Sequence, residues 1–155
     1  MAQNRPPPPE GSNPLTEHDW TEGVQTERRR SVELEISNAM VGLKKQYYGR
    51  GPTKSKTYVN DNYVFCVLEG GLTPNEQTLL QHGEEDLVRS YRLRFQEVMS
   101  KLSTDAIEKI TGRRVIGYHS QIVFDPEYGF EIFVLDGPPQ RDGGDGDAAP
   151  PKLGE

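Results

Sequence analysis

Tyr47-Tyr48-Gly49-Arg50-Gly51-Pro52 is the stretch on which the reading of this chain turns. Before it, Val32, Ile36, Ala39, Met40, Leu43 and Tyr47 recur at spacings of three and four, the period of a helix with one apolar stripe facing a core, expected from Thr26 to Tyr48. Within it, Gly49 supplies the left-handed residue that ends a helix, and Gly51-Pro52 forbids its resumption. After it the period changes to two. Thr57 to Asn60 and Tyr63 to Glu69 read as strands on either side of Asn60-Asp61-Asn62, residues that tolerate the positive φ of a tight turn. The chain therefore leaves a helix and enters a β-hairpin within a few residues.

Downstream, Gly70-Gly71 closes the second strand. Leu72-Thr73-Pro74-Asn75-Glu76 then opens a helix, with Thr73 as N-cap, Pro74 at the first helical position and Glu76 at the third, where its carboxylate reaches back to the cap. A break is expected near Gly83 and a resumption at Glu84, after which Leu87, Tyr91, Phe95, Val98, Met99 and Leu102 form an apolar stripe. Thr104 is placed to cap a further short helix carrying Ala106, Ile107 and Ile110, stopped by Gly112. Val115 to Phe124 and Phe130 to Asp136 are two more strands, joined by the proline-started turn Asp125-Pro126-Glu127-Tyr128-Gly129. In the second strand Tyr63, Phe65 and Val67 alternate with Val64, Cys66 and Leu68, so both faces are apolar and the strand is expected to be central. The expected fold is α+β and two-layered, in the order α-ββ-α-α-ββ, with an antiparallel sheet from two β-hairpins and the helices packed on one face.

The ends have a different composition. Residues 1–25 hold the run Pro6 to Pro9 and then Gly11, Ser12, Asn13 and Pro14, and residues 138–155 are acidic and rich in Gly and Pro; both are expected to be disordered tails flanking one domain at 26–137. Trp20 lies at the edge of the first tail, where it can fold back onto the domain. Arg28, Arg29 and Arg30 are unfavourable near a helix N-terminus because of the macrodipole, so they either precede a helix begun by Ser31 or lie inside a longer one. One cysteine cannot form an internal disulfide, no apolar run approaches the roughly 18 residues of a membrane span, and no apolar leader opens the chain, which together read as a soluble cytoplasmic protein. A net charge of −6 argues against binding nucleic acid over the whole surface.

The order and spacing of Tyr-x-Gly-Arg-Gly-Pro at 47–52, of Leu68-Glu69-Gly70 followed by Leu72-Thr73-Pro74-x-Glu76, and of Ile110-Thr111-Gly112-Arg113-x-Val115 resemble the small bacterial proteins of the Na+-translocating membrane-potential protein MpsC family. The resemblance covers nearly all of residues 31–136. In the third strand this chain has Ser120-Gln121 where the family pattern carries Ser-Asp. The resemblance implies a link to membrane energetics or to ion and inorganic-carbon uptake. For a chain without a span it also implies an accessory or regulatory role beside a membrane-associated protein partner, without enzymatic turnover.

Charge gives the candidate site. Between Glu35 and Asp61 there is no acidic residue, yet Lys44, Lys45, Arg50, Lys54 and Lys56 fall there among Tyr47, Tyr48 and Tyr58. Tyr48, Gly49, Arg50, Gly51, Lys54 and Lys56 are the candidate residues for binding an anionic ligand or an acidic partner. The alternative is a structural turn in which Arg50 pairs with a carboxylate of its own domain. The spacing matches neither a P-loop nor a dinucleotide fingerprint. A second functional reading is an RNA-binding module in which the basic and aromatic residues of 44–58 hold phosphates and stack bases.

Cys66, between apolar neighbours, reads as a buried small hydrophobe. His18, His82 and His119 have no metal-ligand spacing, so no metal, cofactor or catalytic residue is expected. Arg89, Arg92, Arg94 and Lys101, offset by Glu84, Glu85, Asp86 and Glu97, read as a solvated helix face. A separate apolar line on the first helix, Leu34, Val41 and Tyr48, points to a homodimer.

Overall fold

In the computed structural model, which describes residues 17–140 and their side chains from residue 23 onward, the helix that ends at the junction is longer than its apolar stripe. α1 (Glu17–Tyr48) begins before Thr26, so 17–25, expected within the N-terminal arm, is helical. The early start places Arg28, Arg29 and Arg30 well inside the helix, away from the positive end of the macrodipole. The Pro6 to Pro9 run and the acidic stretch 141–155 lie outside the described residues, as does the side chain of Trp20.

Gly49, at φ 77°, ends α1. β1 (Lys54–Asn60) and β2 (Tyr63–Glu69) follow, with Asp61 at φ 54° in the turn between them. β1 starts at Lys54 rather than Thr57 because the ladder continues as far as Lys54 opposite Glu69. α2 (Pro74–Gln81) opens with the expected capping box: the Glu76 carboxylate accepts from the Thr73 backbone N–H at 2.8 Å. Gly83, at φ 80°, separates it from α3 (Glu85–Thr111). α3 does not break at Thr104. The Thr104 hydroxyl instead donates to the Lys101 carbonyl one turn back, so a residue able to cap a new helix here continues the old one. Gly112, at φ 64°, is the C-cap, as expected. β3 (Val115–Phe124) and β4 (Glu127–Leu135) turn at Asp125-Pro126, so β4 begins earlier than Phe130 and pairs with β3 out to Glu127.

The four strands form one antiparallel sheet in the order β1-β2-β4-β3, which makes β2 and β4 central. All three helices lie on one face. The inward register positions of the hairpins, among them Val59, Val64, Cys66, Phe133 and Leu135, meet Ile36 and Met40 of α1 and Ile107 of α3. A smaller cluster under α2 joins Leu72, Val88 and Ile122. Among the described residues nothing covers the other sheet face: Tyr58, Tyr63 and Phe65 are exposed on it, and Phe65 stacks on Phe130 at 5.7 Å.

Two expectations about helix faces fail. Tyr47, counted in the α1 stripe, is exposed. On α3 the apolar stripe does not face the sheet: Leu87, Tyr91, Val98 and Leu102 are 54, 52, 75 and 40% exposed. The buried side of α3 is instead Val88, Arg92, Gln96, Met99, Ser103, Ile107 and Thr111.

Candidate functional site

The junction loop folds back on the end of β2. A Cβ on Gly71, at φ 95°, would meet the Pro52 backbone at 3.3 Å, so glycine there allows the two segments to touch, while one on Gly51 would meet the Lys45 Cβ at 3.2 Å, so glycine there lets the loop close on α1. The Thr53 N–H donating to the Glu69 carbonyl at 2.8 Å holds the loop there. This places Arg50 on the rim of a cavity of about 30 Å³, lined by Lys44, Arg92, Gln96, Ser120 and Glu131 among others.

Two buried ion pairs form the walls. Glu131 of β4, 1% exposed, accepts at one oxygen from Lys44 Nζ at 2.6 Å and Gln96 Nε2 at 3.0 Å, and at the other from the Tyr118 hydroxyl at 2.5 Å. Arg92 grips Glu76 with both ends of its fork at 2.6 Å and donates to the Gly71 carbonyl at 2.9 Å. Its guanidinium lies 4.4 Å from the centre of the Tyr48 ring, and Lys44 Nζ lies 5.3 Å from it. Phe95 packs on Tyr48 at 4.5 Å, and the Tyr48 hydroxyl is buried without a hydrogen-bond partner.

Burial dominates the titration of this centre. It holds the Lys44 ammonium below its ordinary value, against the raising pull of Glu131. It pushes the Tyr48 and Tyr118 phenols up. Burial would also push the Glu76 carboxyl up, but Arg92 and the Thr73 N–H together outweigh it and hold that carboxyl below the usual range. Burial raises the Cys66 thiol, so the sulfur behaves as a packed apolar atom rather than a thiolate.

Of the six candidate residues, the structure brings Tyr48 and Arg50 to this centre, with Gly49 and Gly51 shaping the turn between them. Arg50 is exposed and has no carboxylate partner among the described residues. Lys54 and Lys56 lie elsewhere. They alternate with Thr57 and Val59, which face the core, and so belong to the uncovered sheet face, Lys54 at 3.7 Å from Glu69 and Lys56 over the Tyr58 ring at 5.7 Å. Arg92 corrects the solvated-face reading of α3: it is buried, while Arg94 and Lys101 are exposed and paired on their own helix.

Glu131, Gln96 and Tyr118 escaped the sequence. For Glu131 a signal exists, since strand alternation places it on the same side as Phe133 and Leu135, a carboxylate next to large apolar inward positions in the middle of the strand. Among the described residues no group of His, Cys, Asp and Glu side chains gathers that could hold a metal ion, and no helix is long and apolar enough to cross a membrane.

Residues 28–137 match the family model described as Na+-translocating membrane potential-generating system (MpsC). Two curated proteins of Bacillus subtilis (strain 168) are similar to the chain. The Uncharacterized protein YrhF is 25% identical over 104 residues, covering 66% of this chain and 85% of its own length. The Uncharacterized protein YbcI is 32% identical over 94 residues, covering 59% and 75%. No solved structure matches.

Proposed function

Because the chain belongs to the MpsC family, we propose that it is a soluble, cytoplasmic, non-enzymatic accessory protein that acts as a homodimer and uses Arg50 to bind a carboxylate or similar small oxyanion. The family description speaks of a Na+-translocating system. A chain whose described helices do not span a membrane would serve such a system through a membrane-associated partner.

The observation that supports the site is Arg50 itself. Lys44 and Arg92 each have a carboxylate at 2.6 Å, so the one lining cation without an ion pair among the described residues is Arg50, in a cavity that also holds the Glu127 carboxylate, which accepts from the Leu72 N–H at 3.0 Å. A cavity of about 30 Å³ admits one or two waters or a single oxyanion head, which fits a side-chain carboxylate.

Titration with acetate, with inorganic phosphate and with a glutamate-rich peptide, followed by the amide shifts of Gly51, Gly70 and Gly71, tests this and separates a free anion from an acidic partner. Arg50→Ala should abolish the shifts and change stability by no more than about 1 kcal/mol, because an exposed charge contributes little to folding. Arg50→Lys should still impair binding, since it loses the planar fork. A large fall in melting temperature for Arg50→Ala with binding intact would establish the structural reading instead.

The nucleic-acid reading keeps one observation in its favour. Exposed Tyr58, Tyr63 and Phe65 share the uncovered sheet face with Lys54 and Lys56, a stacking surface beside positive charge. Salt-dependent retention of oligo-uridine, lost in Phe65→Ala, would support it.

A further inference from the structure

The exposed apolar stripe of α3 has an internal symmetry. Leu87 and Leu102 are equally far from the midpoint between Arg94 and Phe95, and so are Tyr91 and Val98. At 100° per residue these four side chains occupy one narrow arc of the helix, along about 22 Å of its length. A stripe whose apolar positions are spaced alike from both ends brings apolar residue against apolar residue when two copies run antiparallel, which is the geometry of a two-fold interface.

We propose that α3 is the homodimer surface, two copies meeting antiparallel about an axis at Arg94 and Phe95. In that register Leu87 packs on the partner's Leu102 and Tyr91 on the partner's Val98. Charge at the centre is compatible with the axis. Arg94 and Glu97 already pair at 3.0 Å, so the contact collects two arginines and two glutamates with no net charge, each arginine within reach of the partner's Glu97. Lys101, paired with Asp105 at 2.7 Å, comes within a turn of the partner's Glu85 and Asp86.

The line expected to carry self-association, Leu34, Val41 and Tyr48, does not form one surface: Leu34 is exposed while Tyr48 is packed under Phe95 and Arg92. Tyr91 contacts Phe95 at 5.9 Å, and Phe95 contacts Tyr48, so the α3 contact forms the outer layer over the buried centre. The inference rests on the homodimer reading and is independent of Arg50.

Sedimentation of the full chain across a concentration series should show a dimer. Val98→Glu should weaken it by about 10-fold or more, because it places two carboxylates in a desolvated contact, and should leave the far-ultraviolet spectrum unchanged. Cysteine pairing then reads the register. Under mild oxidation Arg94→Cys, next to the axis, should form a covalent dimer, as should the double variant Leu87→Cys with Leu102→Cys, whereas Leu87→Cys alone should not, its two copies being about 22 Å apart. The native Cys66 is buried and gives no background. A dimer unaffected by Val98→Glu would overturn the α3 surface and leave the homodimer reading standing. A monomer at high micromolar concentration would overturn both.

Discussion

α1 and α3 lie on the same face of the sheet and turn opposite kinds of surface toward it. α1 buries Ile36 and Met40, the centre of its apolar stripe. α3 buries a stripe in which Arg92, Gln96, Ser103 and Thr111 sit among Val88, Met99 and Ile107, and leaves Leu87, Tyr91, Val98 and Leu102 to solvent. Both helices have an apolar period. What separates them is the chemistry waiting on the other elements. Through Ile36 and Met40 α1 meets Val59, Val64 and Cys66 and reaches a buried carboxylate only with Lys44 near its end, whereas the middle of α3 meets two, Glu76 from α2 and Glu131 from β4, that are buried and need donors. An unpartnered buried carboxylate costs more than an exposed leucine gains by burial, so the polar side of α3 faces inward.

Removing one of those carboxylates should have the largest effect. Glu131→Ala leaves the Lys44 ammonium buried beside two side chains that lose their acceptor, and should destabilise the fold by about 3–5 kcal/mol in urea titration. Combining it with Lys44→Met should recover much of the loss, since replacing both charges of a buried pair by apolar groups is often close to neutral. A single variant of near wild-type stability would show that α3 is not oriented by this carboxylate. Met99→Ala, from the same buried stripe, should follow at about 2–5 kcal/mol.

The difference between the helices also marks what the sequence could reveal. Signals within a few residues of one another were legible: Gly49 and Gly112 as helix ends, the Thr73 to Glu76 capping box, both hairpins, and from β2's two apolar faces its central place in the sheet. The orientation of α3 was not, because Arg92 finds Glu76 on another helix and Gln96 finds Glu131 in the last strand. The same holds at the site. The absence of acids from Ile36 to Asn60 drew attention to Arg50, which is exposed and has no carboxylate partner among the described residues, but it made Lys44 look unpaired when its partner lies 87 residues away. It also grouped Arg50 with Lys54 and Lys56, which alternation along β1 sends to the opposite face of the sheet.

A smaller effect should appear with pH. The Glu76 carboxyl is held below its ordinary range in the folded state. A group with a depressed folded pKa contributes stability above its unfolded value, about 4.3 for Glu, and that contribution is lost as pH falls through the folded value. Melting temperature should therefore decline below about pH 4, by about 1.4 kcal/mol of stability for each unit of depression. In Glu76→Gln, already less stable at neutral pH because Arg92 loses its charge partner, this part of the acid limb should be absent. An acid limb of unchanged slope would mean that Glu76 titrates alike in the folded and unfolded chain.

The smallest expected change has the opposite sign, and it tests the comparison at two adjacent residues. Met99 is buried and Val98 is 75% exposed, so the surface of α3 divides between them. In a helix facing the sheet with its apolar stripe, Val98→Ala would remove core contacts and cost stability. In the helix described here the side chain has few contacts to lose, and alanine is the better helix former because it has no branched side chain to restrict against the preceding turn. Val98→Ala should thus stabilise the monomer slightly, by up to about 0.5 kcal/mol, when unfolding is followed at a dilution where association does not contribute. The same substitution at high concentration should weaken self-association, because there the valine would lie against the partner's Tyr91. A loss above about 1 kcal/mol at dilution would place Val98 in the core and reverse the assignment of the two faces of α3.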